Sequence, residues 1–182
     1  SLYNRFDDQE VKDLRLNAFF EAREDEQYKV AKVVEKVYDC FVIRSAELYL
    51  NKAEAEAMLD KAEAKQTIKT LLNNRFEGGI PDVDGLSGKD LVSFIRDERH
   101  RELCFEAHRW FDLRRYAVSS KYPEKKSIRH ETYDKNGVLE GDYVLKPYGE
   151  DPAWVLPIPG YEIVYNQGNL VDNPQRVERK LE

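Results

Sequence analysis

Three residues that could bind zinc recur at helical spacing between positions 87 and 116. His100, Cys104 and His108 lie four residues apart, so on a continuous helix they fall on neighbouring turns of one side. Imidazole nitrogen and thiolate sulfur are ligands that zinc prefers, but a structural site normally needs a fourth ligand. The nearby sequence offers no clear fourth ligand. We therefore expect no metal and no cofactor, with Cys104 packing and the two histidines hydrogen-bonding.

A ladder of carboxylates runs through the same segment. Glu98, Glu102 and Glu106 also repeat every four residues. Such a ladder could serve acid–base catalysis, or it could hold metal ions in a helix bundle through Glu-x-x-His pairs. The residue three positions after each glutamate is arginine or phenylalanine, never histidine. The many arginines instead favour an ion network.

These charges lie where a helix should be apolar. At 3.6 residues per turn, the stripe that contains Leu91 and Ile95 is interrupted by charged residues and then resumes at Leu113. A buried charge needs a hydrogen-bonded partner. We therefore predict a partly buried structural ion network whose members are Glu98, Arg99, Arg101, Glu102, Glu106 and Arg109.

Catalytic signatures are missing from the sequence. It contains no G-x-S-x-G motif, no P-loop and no G-x-G-x-x-G motif. His130 and Ser127 have no acidic residue placed as in a catalytic triad. We expect a protein that is not an enzyme.

Aromatic side chains offer another binding chemistry, because they stack against the faces of sugar rings. The chain has eleven tyrosines, most of which we interpret as core or hairpin residues. Some lie in a stretch rich in proline and glycine, where loops expose side chains. The candidates for ligand binding are Tyr122, Tyr133, Tyr148 and Trp154, and Tyr143 lies in the same stretch.

A pair of antiparallel helices is predicted ahead of the charged segment. Residues 44–59 carry apolar side chains on two sides, which predicts contacts on both. Asp60 and Glu63 fit a capping box that starts a second helix, from 61 to about 75. The very short connection predicts a helical hairpin. Ser87 is the predicted N-cap of one long charged helix that ends at Tyr116.

The chain changes character after position 116. Two strand-like stretches, 127–134 and 138–146, flank Asn-Gly, which predicts a β-hairpin. Prolines then favour an extended C-terminal segment. We predict a mainly α fold in a single domain: a lead-in over 1–43, a helical core over 44–116, and a hairpin, loops and tail over 117–182.

Composition excludes some classes of partner. The chain has 182 residues and a net charge of −6, with 41% hydrophobic and 35% charged residues. It has no basic stripe for nucleic acid and no apolar run close to the ~20 residues of a membrane span. We interpret Cys40 and Cys104 as buried thiols, although a disulfide stays open. Because the chain starts at Ser1 within a patterned region, we expect it to be a piece of a longer protein.

Three stretches resemble the SusD/RagB family. Residues 44–55, RSAELYLNKAEA, with the helix end at 72–75, LNNR, resemble its paired helices. Residues 95–114, IRDERHRELCFEAHRWFDLR, resemble its most recognisable signature. Residues 156–159, LPIP, followed by Glu162, Ile163, Asn166 and Asn173-Pro174, resemble its C-terminal signature. The stretches keep the family order across nearly the whole chain.

The resemblance implies a non-catalytic, mainly helical lipoprotein with tetratricopeptide-like units, exposed at the outer membrane of Bacteroidetes. Such proteins bind glycans or other nutrients, and they take up oligosaccharides together with a TonB-dependent SusC-like transporter. This chain would be the C-terminal part, without the lipid-anchoring N-terminal cysteine. Family ligand residues vary, so none is assigned here, and Arg109 and Trp110 are expected to be architectural. The alternative is a scaffold segment that docks the rest of the chain and the transporter, without its own ligand site.

Overall fold

The computed structural model describes residues 11–23, 28–32 and 43–173, and helices dominate this part of the chain. The predicted mainly α fold is confirmed. The helices are α1 (Arg15–Phe19), α2 (Ser45–Met58), α3 (Glu63–Leu72), α4 (Gly88–Glu102), α5 (His108–Ala117) and α6 (Gly160–Tyr165). The strands are β1 (Lys12–Asp13), β2 (Phe20–Ala22), β3 (Tyr28–Val30), β4 (Phe76–Glu77), β5 (Ile128–Tyr133) and β6 (Leu139–Leu145). They form antiparallel pairs, β1 with β4, β2 with β3 and β5 with β6.

The chain divides into two units, residues 1–111 and 112–182. In the first unit, α2 packs against both α3 and α4, which confirms the predicted helical hairpin. The buried side of α2 is mostly alanine, so neighbouring helices can approach it closely. Its buried apolar residues are Ala46, Leu50, Ala53 and Ala57. The partners contribute Ala64, Ile68, Leu71 and Leu72 from α3, and Leu91, Val92 and Ile95 from α4. Tetratricopeptide-like stacking stays a prediction.

The second apolar side of α2 differs from the expectation. Leu48 and Leu59 are exposed in the described part of the chain. Helix α2 does not need two apolar sides to contact two helices. Both α3 and α4 pack against the one broad side of α2 that carries the small residues. The exposed leucines are therefore an apolar surface rather than a second packing face.

Asp60 ends α2 and does not cap α3, so the predicted capping box is wrong. Asp60 has a positive φ of 55°, and α3 begins only at Glu63. The N–H of Lys61 donates to the carbonyl of Glu56 at 2.9 Å, and that of Asp60 donates to the carbonyl of Ala57 at 3.1 Å. These are the two bonds of a Schellman motif, in which aspartate tolerates the left-handed position that glycine usually takes.

The segment predicted as one helix to Tyr116 is two helices. Helix α4 begins directly after Ser87, as predicted, but it ends at Glu102, and α5 begins at His108. Phe105 and Ala107 between them have positive φ angles of 61° and 62°, which a helix cannot contain. The turn frees backbone carbonyls at the end of α4 for partners outside the helix.

The second unit contains the predicted hairpin, made by β5 and β6. Its turn is closed by Asp134, whose Oδ1 accepts N–H bonds from Asn136 and Val138, both at 2.8 Å. The Gly137 N–H donates to the Asp134 carbonyl at 3.0 Å, and Gly137 has a φ of 79°. Gly137 thus supplies the left-handed backbone that the turn requires.

Gly137→Ala is expected to lower the free energy of unfolding by about 1 kcal/mol, because a Cβ disfavours this left-handed position. Urea denaturation, with NMR of the β5–β6 cross-strand contacts, measures the loss. Gly85→Ala is the matched control, since a Cβ at Gly85 has open space around it and its φ is ordinary. Equal stability of the two variants would contradict the argument.

The proline-rich segment is less extended than predicted. It contains a 3₁₀ turn, Pro152–Trp154, and the short helix α6 directly after Pro159. Pro152 sits at the start of its turn, where a missing N–H costs nothing, and the Asp151 side chain accepts the N–H of Ala153 at 3.0 Å. Proline therefore starts helical turns here as well as extending the chain.

Candidate functional site

Helix α4 carries two carboxylates into the interior of the first unit. Glu98 and Glu102 are almost completely buried, one turn apart on the side that also buries Ile95. Glu106, from the turn after α4, has an equally shielded side chain. Buried carboxylates need cationic partners. The residues that pair with these three carboxylates therefore define the chemistry of the site.

Glu102 is held by three arginines from three other parts of the chain. Its Oε1 accepts from Arg44 Nη1 at 2.6 Å and from Arg75 Nη2 at 2.9 Å. Its Oε2 accepts from Arg75 Nε at 2.8 Å and from Arg15 Nη1 at 3.4 Å. Arg44 directly precedes α2, Arg75 follows α3 and Arg15 begins α1. Glu102 thus joins all three elements to the end of α4.

Glu106 and the freed carbonyls are held by Arg44 and Lys32. Arg44 Nε donates to Glu106 Oε2 at 2.8 Å, and Lys32 forms an ion pair with the other oxygen. Lys32 Nζ also donates to the backbone carbonyls of Glu102 at 2.6 Å and of Cys104 at 3.1 Å. The two cations replace the helical hydrogen bonds that the turn after α4 gives up.

Glu98 belongs to the same buried ion cluster. The carboxylates of the cluster are Asp13, Glu98, Glu102 and Glu106, and its cations are Arg15, Lys32, Arg44, Arg75 and Arg101. Its Oε1 accepts from Arg101 Nε at 2.8 Å, and its Oε2 lies 2.9 Å from Arg15 Nη1. Arg15 also donates to both oxygens of Asp13, at 2.8 and 2.6 Å. Arg15 thus connects Glu98 with Glu102.

The ion pairs shift the pKa values of Arg15, Glu102 and Glu106 toward the charged forms. Burial alone would raise the pKa of Glu102, but hydrogen bonds from Arg75 and Arg44 outweigh it and hold that pKa at about 2. Burial would likewise raise the pKa of Glu106, yet Arg44 and Lys32 keep it below its ordinary value. Burial opposes the charge of Arg15, but Glu98 and Asp13 raise its pKa. Glu102 stays ionised at neutral pH, so it cannot donate a proton as a general acid.

A pocket of about 350 Å³ opens beside these carboxylates. Glu102 and Glu106 line it, together with the cations that hold them: Arg15, Lys32, Arg44 and Arg75. Leu14, Ala18 and Phe19 supply apolar wall. The pocket combines charged groups with apolar surface, which is a composition typical of small-molecule sites.

The cluster brings together four of the six residues predicted for the ion network, namely Glu98, Arg101, Glu102 and Glu106. Arg99 lies in a neighbouring group, where its guanidinium donates to Asn51 at 2.7 Å and to Glu47 at 3.4 Å. Arg109 forms no ion pair with a described residue.

Two of the three stretches that resemble a known family contribute residues to this site, namely Arg44 and Arg75 from the first and Glu98, Glu102 and Glu106 from the second. The sequence profile of the SusD family matches residues 15–175. The chain belongs to the SusD family. SusD-like protein P2 of Formosa agariphila is 28% identical over 142 residues, which cover 72% of this chain and 25% of that protein. The crystal structure of a SusD-like protein from Bacteroides fragilis aligns with 74% of this chain and 25% of its own, at 26% identity and a TM-score of 0.45. The chain thus spans about a quarter of the length of these relatives.

Sequence reasoning missed four cations of this SusD-family chain: Arg15, Lys32, Arg44 and Arg75. Helical periodicity reveals neighbours on one helix, whereas these partners come from other elements. A weak signal was present, because Arg44 opens and Arg75 closes the stretches that resemble the paired helices of the family. Arginines at helix ends beside a buried carboxylate ladder are therefore candidate partners.

The aromatic candidates of the SusD-family chain lie in the second unit and differ in exposure. Trp154 is only 1% exposed, and its Nε1 donates to the Lys146 carbonyl at 2.7 Å. Tyr148 packs edge-on against it, with ring centroids 6.0 Å apart. Tyr122 is partly exposed, whereas Tyr133 is 54% exposed and its hydroxyl bonds to Glu131. Tyr133 therefore offers the largest accessible ring among the four.

The possible zinc ligands do not share one helix in this SusD-family chain. His100 lies in α4, Cys104 in the following turn and His108 at the start of α5. His108 Nδ1 lies 3.5 Å from the Arg99 guanidinium. Within residues 11–23, 28–32 and 43–173, no three His, Cys, Asp or Glu side chains are grouped to hold a metal. Cys104 is partly exposed, and Cys40 lies outside the described residues.

Among the helices that the structure describes, none has the length and apolar character needed to cross a membrane.

Proposed function

We propose that this chain is part of a non-catalytic glycan-binding or nutrient-binding protein of the outer membrane. The protein would be exposed at the cell surface, anchored by a lipid on a cysteine outside this chain, and paired with a TonB-dependent SusC-like transporter for oligosaccharide uptake. The observation that carries the proposal is the family match over residues 15–175. SusD-family members are generally non-catalytic binding proteins.

The charges of the first unit support a binding protein over an enzyme. Acid–base catalysis needs a group whose pKa lies near the working pH. Glu102, with a pKa of about 2, is far from that range because Arg75 and Arg44 hold it ionised. The carboxylate ladder is therefore interpreted as a device that fixes structure.

The sugar contact is proposed for the second unit, at the exposed ring of Tyr133. This ring lies at the end of β5, next to the turn that Asp134 closes. A rigid hairpin end holds an aromatic ring at little entropic cost. Tyr143, on β6, is also partly exposed and offers a second ring on the same hairpin.

A scaffold function is the second candidate, and exposed apolar side chains favour it. Leu48 and Leu59 of the α2 region are exposed in the first unit, and so are Tyr161, Val164 and Tyr165 of α6 in the second. Exposed apolar side chains mark protein–protein contacts where they form a continuous patch. In that case the chain would dock the rest of the protein and the transporter, with glycan contacts elsewhere.

Titration of the 182-residue chain with oligosaccharides of starch, mannan, xylan and host-glycan origin tests the proposal. We expect saturable heat for one class in calorimetry, and a Tyr133→Ala variant that binds about tenfold more weakly, as loss of one stacking contact predicts. Tyr165→Ala is the matched control, since that ring is exposed but lies outside the hairpin.

The outcomes separate the two candidates. Saturable binding that Tyr133→Ala weakens supports a glycan site on the hairpin. Silence across the panel from a folded chain contradicts the glycan site and favours the scaffold. Turnover of any glycan by the pure chain contradicts the non-catalytic function.

A further inference from the structure

The pocket beside Glu102 has arginines with hydrogen-bonding capacity left over. Arg44 and Arg75 line it, and their side chains are 25% and 26% exposed. Arg75 uses one N–H each from Nε, Nη1 and Nη2 in bonds to Glu102 and to the Asn74 carbonyl. A guanidinium has five N–H groups, so two of them bond to no described residue. Guanidinium N–H groups that lie in one plane can bind a carboxylate or another flat anion.

The charges that line the pocket are mostly positive. Among the described residues, its lining includes four cations, Arg15, Lys32, Arg44 and Arg75, and two carboxylates, Glu102 and Glu106. Two further carboxylates, Asp13 and Glu98, pair with Arg15. This cationic lining is local, since the whole chain carries a net charge of −6. It favours an anionic ligand over a cationic one.

The walls of the pocket indicate what kind of anion it suits. Leu14, Ala18 and Phe19 give it an apolar side, and Lys32 Nζ already lies 4.1 Å from the centre of the Phe19 ring. A volume of about 350 Å³ is at the lower end of the range for small-molecule sites. An inorganic ion would leave the apolar side unfilled. A compact organic acid would use both kinds of surface.

We propose that this pocket binds a small organic carboxylate, with its anionic group on Arg44 and Arg75 and its apolar body against Leu14 and Ala18. The site belongs to residues 1–111 and does not rest on the glycan proposal, which places its contact on the hairpin of the other unit. The two proposals can therefore fail separately.

Matched probes test the charge and the apolar body independently. Benzoate, benzamide, acetate and sulfate, each as a neutral solution at equal ionic strength, are titrated into the ¹⁵N-labelled chain and followed by NMR. Benzoate should bind saturably, shift the Nε–H signals of Arg44 and Arg75, and bind at least tenfold tighter than the other three. The proposal would be wrong if benzamide, sulfate or acetate bound as tightly as benzoate.

Two variants locate the binding. Leu14→Trp fills the pocket from its apolar side without touching an ionic group, and should weaken benzoate binding at least tenfold. Leu48→Trp adds the same bulk on the exposed surface of α2 and should leave binding unchanged. If Leu14→Trp retains full affinity, the bound probe lies elsewhere and the proposal is wrong.

Arg75→Lys tests the ionic side of the pocket. It keeps the charge but loses the planar fork, and should weaken benzoate binding severalfold. This variant also keeps the proposal falsifiable if Leu14→Trp does not fold. Unchanged benzoate affinity in Arg75→Lys would contradict the proposal on its own.

Discussion

Glu102→Gln is expected to lower the free energy of unfolding by about 3–5 kcal/mol, because it removes one partner of a buried ion pair and leaves the others charged. Glutamine keeps the size of the side chain, so no cavity contributes to the loss. Arg75 then loses the carboxylate with which it pairs. Arg15 and Arg44 each lose one of their carboxylate partners. Urea denaturation followed by circular dichroism at pH 7 measures the change.

A matched control separates the effect of losing a buried charge from the effect of losing an exposed one. Glu77 pairs with Lys12 across the β1–β4 ladder, but both side chains are largely exposed. Glu77→Gln should therefore change stability by no more than about 0.5 kcal/mol. Similar losses in the two variants would mean that the Glu102 cluster is solvated, which contradicts the structure.

Acid is expected to remove about 3 kcal/mol of stability through Glu102 alone. The pKa of this carboxyl falls from its ordinary 4.5 to about 2 in the folded chain, because Arg75 and Arg44 outweigh the effect of burial. A group with a lowered folded pKa stabilises the fold fully above its unfolded pKa. That contribution is lost as the pH falls from about 4.5 to about 2, at about 1.4 kcal/mol for each pKa unit.

The comparison with Glu102→Gln isolates this contribution. Other carboxyls with lowered pKa values, such as Glu106, add to the acid sensitivity of both proteins. The difference in unfolding free energy between wild type and variant should therefore be constant from pH 5 to pH 7 and shrink toward pH 2. If the difference does not shrink between pH 4.5 and pH 2, the pKa of Glu102 is not lowered in the folded chain.

The helices and the hairpin follow from local patterns, and these parts of the fold were predictable. The alanine-rich side of α2 marks its packing face, and Asn136-Gly137 marks the hairpin turn. The same local sequence pattern can be compatible with two structures, which explains why the capping box predicted at Asp60 was wrong. An aspartate three residues before a glutamate can cap a helix, but it can also end the preceding one.

The turn at the end of α4 was not predictable from periodicity, since 103–107 continue the helical pattern of charges. The groups that stabilise the end of α4 come from other parts of the chain. Lys32 and Arg44 bond to the carbonyl of Glu102 at 2.6 Å each, which compensates for the helical bonds that the turn gives up. The same limit applies to the site: periodicity identified the carboxylates, whereas their cations come from elements distant along the chain.

The sequence separation of these contacts has a consequence for how the chain folds. The partners Arg75, Arg44, Lys32 and Arg15 lie 27, 58, 70 and 87 residues from Glu102. Each contact closes a long loop, and burying Glu102 before its arginines arrive is unfavourable. We therefore expect α1, Lys32, both arms of the helical hairpin and α4 to assemble together. We expect the first unit to unfold cooperatively, because these long-range contacts depend on one another.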